Sequence, residues 1–175
     1  MGLGMREAIP LLETLKKFDG KENIKFLELG NNYMRGDDTI NWVNSLNLNI
    51  SLGGEQHPKG FVTKKFWTKL GFDHTSIDMN GLDGSLNLDL RKDLSKEFTE
   101  TFDFVYDGGT GEHVDNQYMC FKNVHNFTKP GGLMCHVLPK VGTVPGHCQY
   151  YYTLESFEIL AELCEYEIKE LFEHE

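Results

Sequence analysis

No segment of this chain comes near the roughly 18 consecutive apolar residues that a membrane-spanning helix needs. Its first residues, MGLGMREAIPLLETLKKF, are charged and amphipathic and lack the apolar core and small-residue cleavage site of an export signal. No membrane partner is expected, and the expected address is the cytoplasm. Excess positive charge is also missing, since 17 lysines and arginines face 27 aspartates and glutamates for a formal charge of −10. A sequence-independent grip on nucleic acid needs a basic face, and the local cluster KKFWTK is too short to supply one. Nucleic acid is therefore not an expected partner. The four cysteines, Cys120, Cys135, Cys148 and Cys164, make no CxxC pair and no regular framework, which points to reduced, at least partly buried thiols. No repeat or low-complexity linker occurs, and 175 residues is a single-domain length.

What is present is an alternation. Residues 5–18 place Ile9, Leu11, Leu12, Leu15 and Phe18 largely on one helical stripe, with Pro10 tolerable only near a first turn. Five compact apolar stretches of strand length follow: NIKFLEL, HTSID, SLNLDL, FDFVYD and GGLMCHVLP. Helix-like stretches, notably VTKKFWTKLGF and NQYMCFKNVHNFTKPGG, lie between several of them. Strands separated by helices pair in parallel through crossovers and are covered on both faces. The fold class expected is α/β, a doubly wound and mostly parallel sheet. Residues 31–60 are too long and too rich in Asn and Gly for a strand-to-helix turn, so they read as an insertion holding a short helix at TINWVNSLN and a loop at GGEQHPKG. The insertion is either a surface elaboration or a lid over a ligand.

In such sheets ligands bind outside the carboxyl ends of the strands, where strand order reverses. Glu28 lies in the last turn of the first strand, Asp78 closes the second, Asp89 the third, and Asp107 leads GGTGEH after the fourth. Core packing does not require this series of acids. A carboxylate after the second strand can accept both ribose hydroxyl protons, one after the third can meet the adenine amine, and Gly30 lets backbone approach a ligand closely. The loop GNNYMRG has few of the glycines a pyrophosphate needs. A cofactor without phosphates is the better match.

The motifs FLELG, SIDMNG, LNLDLRKDL and FDFVYDGGTGEHVDNQ running into FTKPGGLMCHVLP, in that order, resemble the class I S-adenosylmethionine-dependent methyltransferases over roughly residues 22–172. The resemblance implies a Rossmann-like methyltransferase domain with S-adenosyl-L-methionine as cofactor and a small-molecule methyl acceptor. It also implies roles. Glu28, Gly30 and Asn32 would line the methionine and ribose side, Asp78 would hold the ribose, and Asp89 would reach the adenine. Asp107, Gly108 and Gly109 would pass beneath the sulfonium, with Glu112 and His113 starting the helix beyond. The family loop carries glycine where this chain has Asn32 and Met34. Asparagine tolerates left-handed angles, and Met34 either narrows the site or, as favoured, is carried away by the insertion. The carboxyl end, YEIKELFEHE, reads as a sixth strand, after which the family's last antiparallel strand is missing, leaving an edge through which copies of the chain could pair.

Methyl transfer needs an acceptor held in line, and often a base. His147 is the first choice, with His113 and His136 behind it; Tyr150, Tyr151 and Tyr152 are candidate acceptor walls. No metal centre is expected, because Cys135 and His136 are adjacent on a strand and point to opposite faces. Two other readings stay open: a methyltransferase-like module that binds or scaffolds without catalysis, and, less favoured for its glycine-poor loop, a nicotinamide-dependent oxidoreductase.

Overall fold

A computed structural model describes residues 4–18, 20–51, 53 and 60–173. In chain order the elements are α1 (Met5–Leu15), β1 (Lys25–Leu29), β2 (Tyr33–Met34), α2 (Asp37–Ser45), β3 (Phe61–Val62), α3 (Thr63–Lys69), β4 (Asp73–Ile77), β5 (Phe102–Gly108), α4 (Gln117–Phe127), β6 (Thr128–Val137) and α5 (Leu154–Cys164). Four strands form one sheet in the order β4-β1-β5-β6, and all three of its pairings are parallel. The chain steps from β1 to one side, then crosses to the other. That reversal, between β1 and β5, defines the sheet's switch point.

Alternation along β1 explains why both faces are covered. Phe26 joins Ala8, Leu11 and Leu15 of α1, Val43 of α2 and Phe66 and Trp67 of α3 in one core. Leu27 and Leu29, pointing the other way, join Val105, Ile77 and the α4 residues Cys120, Val124 and Phe127. Phe26 is the hub of the first core, with ring centroids 5.0 Å from Trp67 and 4.9 Å from Phe104. Each such ring buries on the order of 150–250 Å², so this face carries much of the apolar burial.

Helix α1 runs through Pro10 and does not end at it, giving up the hydrogen bond that a prolyl nitrogen cannot donate. Ala8, Leu11 and Leu15 of this helix are all buried. The stretch expected to continue a helix through TKPGG instead enters β6 at Thr128. Asn116 caps α4 by accepting from the Met119 amide at 3.1 Å, and Thr153 with Ser156 forms a capping box on α5.

Two expected strands do not form. SLNLDL makes a single bridge, Leu86 to Ile77; its last residue and the segment beyond are held instead by Asn123 of α4, whose amide donates to Leu90 O at 3.1 Å and Lys92 O at 2.8 Å and whose oxygen accepts from Leu94 N at 3.0 Å. YEIKELF is likewise no strand. Glu165 turns left-handed at φ 56°, and Tyr166 is then held by α5 and by His125 of α4, its hydroxyl 2.8 Å from Nδ1. The described residues of the four-stranded sheet include no antiparallel strand.

The insertion at 31–60 is closed at its base by the antiparallel pair β2–β3. It contains α2, of the expected length but begun two residues earlier, whose Thr39 and Val43 are buried, so this part of it belongs to the core. The GGEQHPKG loop lies mostly outside the described residues. Among the described residues no helix is long and apolar enough to cross a membrane. All four cysteines are free; Cys120 is buried, Cys135 and Cys148 are partly so, and Cys164 is exposed.

Candidate functional site

Gly30 follows β1 at φ 89°, and a β-carbon there would lie 2.4 Å from Thr110 Oγ1. Thr110, beyond the end of β5, donates to Leu29 O at 2.9 Å. The tips of β1 and β5 are thus pressed together by a pair that only glycine allows. Beside them opens a crevice of about 210 Å³ lined by Gly30, Asn31, Asn32, Asp78, Gly109, Thr110 and His113. Small-molecule pockets run to roughly 300–1,000 Å³, so a nucleoside would fill this one and extend over its open lip.

Asp78 closes β4 on the crevice wall. Its two oxygens accept from Asn31 N at 2.8 Å and Asn80 N at 2.9 Å, and a carboxylate has lone pairs left for further donors. Asn31 donates from Nδ2 to Asp83 at 2.9 Å, and the Tyr33 hydroxyl bonds the same carboxylate. The Asn31 side-chain oxygen is buried without a partner.

The remaining acids point elsewhere. Glu28 is fully buried among Thr63 Oγ1 at 2.5 Å, His74 Nε2 at 2.9 Å and Asn32 Nδ2 at 3.2 Å, so it braces the loop from inside without lining the crevice. Asp107 is spent on its own turn, accepting from Thr110 N at 3.2 Å and Gly111 N at 2.9 Å and meeting His136 Nδ1 at 3.2 Å. Asp89 sits on no strand. Its carboxylate pairs with Arg91 at 2.8 and 2.9 Å, a bond that holds it below its ordinary range. Gly108 is a glycine for a packing reason, since a β-carbon would strike the Tyr106 ring at 2.5 Å.

Asn32 holds its loop by a different device from the one expected. It does not take left-handed angles; its amide donates back to Leu29 O at 3.1 Å and to Glu28, tying the loop by side chain. Met34 is buried in the α1–α3 core and is absent from the crevice wall, in keeping with an insertion that redirects the chain.

Of the three candidate histidines, His113 lines the crevice, His136 is engaged by Asp107, and His147 meets His113 edge to face with ring centroids 5.1 Å apart. Burial, followed by the neighbouring His147, lowers the His113 pKa. Glu112 and His113 form a single 3-10 turn, Gly111–His113, and α4 begins only at Gln117. Burial, seconded by the Asp107 charge, pushes the Glu112 carboxyl up to about 7. The three tyrosines act as tethers: Tyr150 donates to Asp115 O at 2.8 Å, Tyr151 to Val144 O at 2.8 Å and Tyr152 to Gln117 Oε1 at 2.5 Å. Asn31 and Thr110 are crevice residues that sequence reasoning missed; both are neutral and flank the motif glycines without forming a motif of their own.

No protein-family model matches the chain, and no curated protein is significantly similar to it.

Proposed function

We propose that this chain binds S-adenosylmethionine at the β1–β5 switch point and transfers its methyl group to a small-molecule acceptor. One observation carries the reading: Asp78, at the end of the strand next to β1, stands on the wall of a crevice whose floor is the Gly30–Thr110 contact. That arrangement suits a ribose, whose paired hydroxyls need a carboxylate acceptor, and offers little to a pyrophosphate. The methyltransferase type of the Rossmann-like fold is part of the same proposal. The order β4-β1-β5-β6 supports it by setting the turns after β1 and β5 side by side at the reversal.

The cofactor would supply an electrophilic methyl group; the chain's share is orientation and the fate of a proton. Gly30, Asn31, Asn32 and Gly109 line the crevice, and Asp78 fixes the sugar. His113 is the candidate to receive a proton from the acceptor, its lowered pKa keeping the imidazole neutral near pH 7. Glu28 and Asp107 act behind the wall as positioning residues.

Thermal unfolding tests this. At a hundredfold excess over Kd, S-adenosylmethionine or its demethylated product stabilises a binder by about 2.7 kcal/mol, a Tm rise of roughly 5–10 °C for a chain of this size. Asp78→Ala should abolish the rise measured from that variant's own unliganded Tm. A rise with a nicotinamide dinucleotide and none with the sulfonium would establish the oxidoreductase reading, and a flat response to both would leave the non-catalytic module.

A further inference from the structure

We propose that Glu112, His113 and His147 form a binding site for one divalent transition-metal ion of the zinc class at the rim of the crevice. The three side chains each offer a ligand atom, and these atoms lie within 4.8 Å of one another. His113 Nε2 and His147 Nε2 both stand 3.7 Å from Glu112 Oε1. That is too long for a hydrogen bond and close to the separation, roughly 3.4 Å, between neighbouring ligands of a tetrahedral zinc with bonds of about 2.0–2.1 Å.

Glu112 supplies the second, independent observation. Its side chain is 1% exposed, and Oε2 is buried with no hydrogen-bond partner. A carboxylate buried this fully with one oxygen unpartnered is costly, and a cation between the two half-exposed imidazoles, on the Oε1 side, would offset its charge. Hydrogen bonds fix the loop in place. Tyr150 N donates to Glu112 O at 3.4 Å and the Tyr150 hydroxyl to Asp115 O, while Tyr151 Oη accepts from His147 N at 3.1 Å. These bonds hold His147 over Glu112 across a long stretch of sequence.

Donor chemistry selects the ion. Two imidazole nitrogens and one carboxylate suit zinc and its first-row neighbours and disfavour magnesium and calcium, which take oxygen shells. Three protein ligands leave a coordination position open, and one of them, His113, lines the crevice. Cys148, beside His147, is turned away, its thiol donating to Tyr150 O at 3.1 Å. Ligation would occupy the imidazole nitrogens, so at these histidines it replaces the proton-acceptor role. The site itself stands without the cofactor reading.

The test uses the full chain, stripped with a chelator and desalted, titrated with Co²⁺ by visible absorption and with Zn²⁺ by calorimetry. One ion per chain is expected, with Zn²⁺ displacing Co²⁺ and excess Mg²⁺ leaving it bound. Glu112→Gln and His147→Ala should each weaken binding at least tenfold, and Cys148→Ser should not. His147 lies in a loop and is partly exposed, so His147→Ala keeps the fold, checked by circular dichroism, and is the deciding variant should Glu112→Gln unfold. Absence of saturable binding by the unmodified chain, wild-type affinity in His147→Ala, displacement by Mg²⁺, or loss in Cys148→Ser would each overturn the proposal.

Discussion

At Gly30 two constraints meet: a left-handed φ of 89° and a neighbour, Thr110 Oγ1, 2.4 Å from where a β-carbon would sit. Alanine there must be strained in backbone and must displace a hydroxyl that is bonded to Leu29 O. Gly30→Ala is therefore expected to cost about 2–4 kcal/mol, lowering Tm by roughly 5–15 °C. Thr110→Ala in the same chain should restore part of it, a coupling that a double-mutant cycle reads directly. Additive losses would show that the two sites are independent. Asp78 was legible in the sequence because an acid at a strand end in a parallel sheet faces the ligand side. Glu28 and Asp107 obey the same rule yet point into polar clusters of their own, and only the fold shows which way a terminal carboxylate turns. The link between Glu112 and His147 was not legible at all, since it depends on how Tyr150 and Tyr151 fold a loop.

Among the elements, Asn123 shows a side chain taking over backbone bonds that a strand ladder would have made. Fully buried on α4, it satisfies backbone groups of Leu90, Lys92 and Leu94. Asn123→Ala would leave two buried backbone groups and one part-buried one unmatched and is expected to destabilise by about 2–4 kcal/mol, read from urea unfolding. An effect below about 0.5 kcal/mol would mean that this segment is not anchored there. Nearby, hydrogen bonds from Ser95, joined by the Lys122 ammonium, hold the Asp93 carboxyl well below the usual carboxylate range. Because its folded pKa lies below the unfolded one, its contribution is complete above about pH 4 and is lost as pH falls toward the folded value. Asp93→Asn should flatten that part of the acid unfolding curve and leave stability at lower pH unchanged. Of the strands the sequence revealed best, β1 and β5 are apolar runs with a strand neighbour on each side, and β4 pairs with β1 at the sheet's edge. SLNLDL and YEIKELF share the alternation of strands, and what diverted them is tertiary: Asn123 in one case, the Tyr166–His125 contact in the other.

For the whole molecule, the α/β class and the parallel sheet followed from alternating elements, which is the most robust signal a sequence carries. The topology has a kinetic cost. β1 pairs with β4 in the register Lys25 to Asp73 and with β5 in the register Phe26 to Phe104, so neither of its partners is local. Refolding followed by tryptophan fluorescence, to which the fully buried Trp67 should contribute strongly, is expected on the millisecond-to-second scale of chains dominated by long-range pairing. A microsecond phase recovering the full signal would contradict this sheet order.

The base of the insertion has a consequence for divergence. Thr63 donates to Asn32 O from its N at 3.0 Å and from its hydroxyl at 3.1 Å, so two residues 31 positions apart along the chain stand as neighbours, and the sheet passes from its first turn to α3 across this pair of bonds. Proteins built on this sheet could differ in length between α2 and β3, whereas Met34, Val43 and Phe61, all core residues, would have to keep their apolar character.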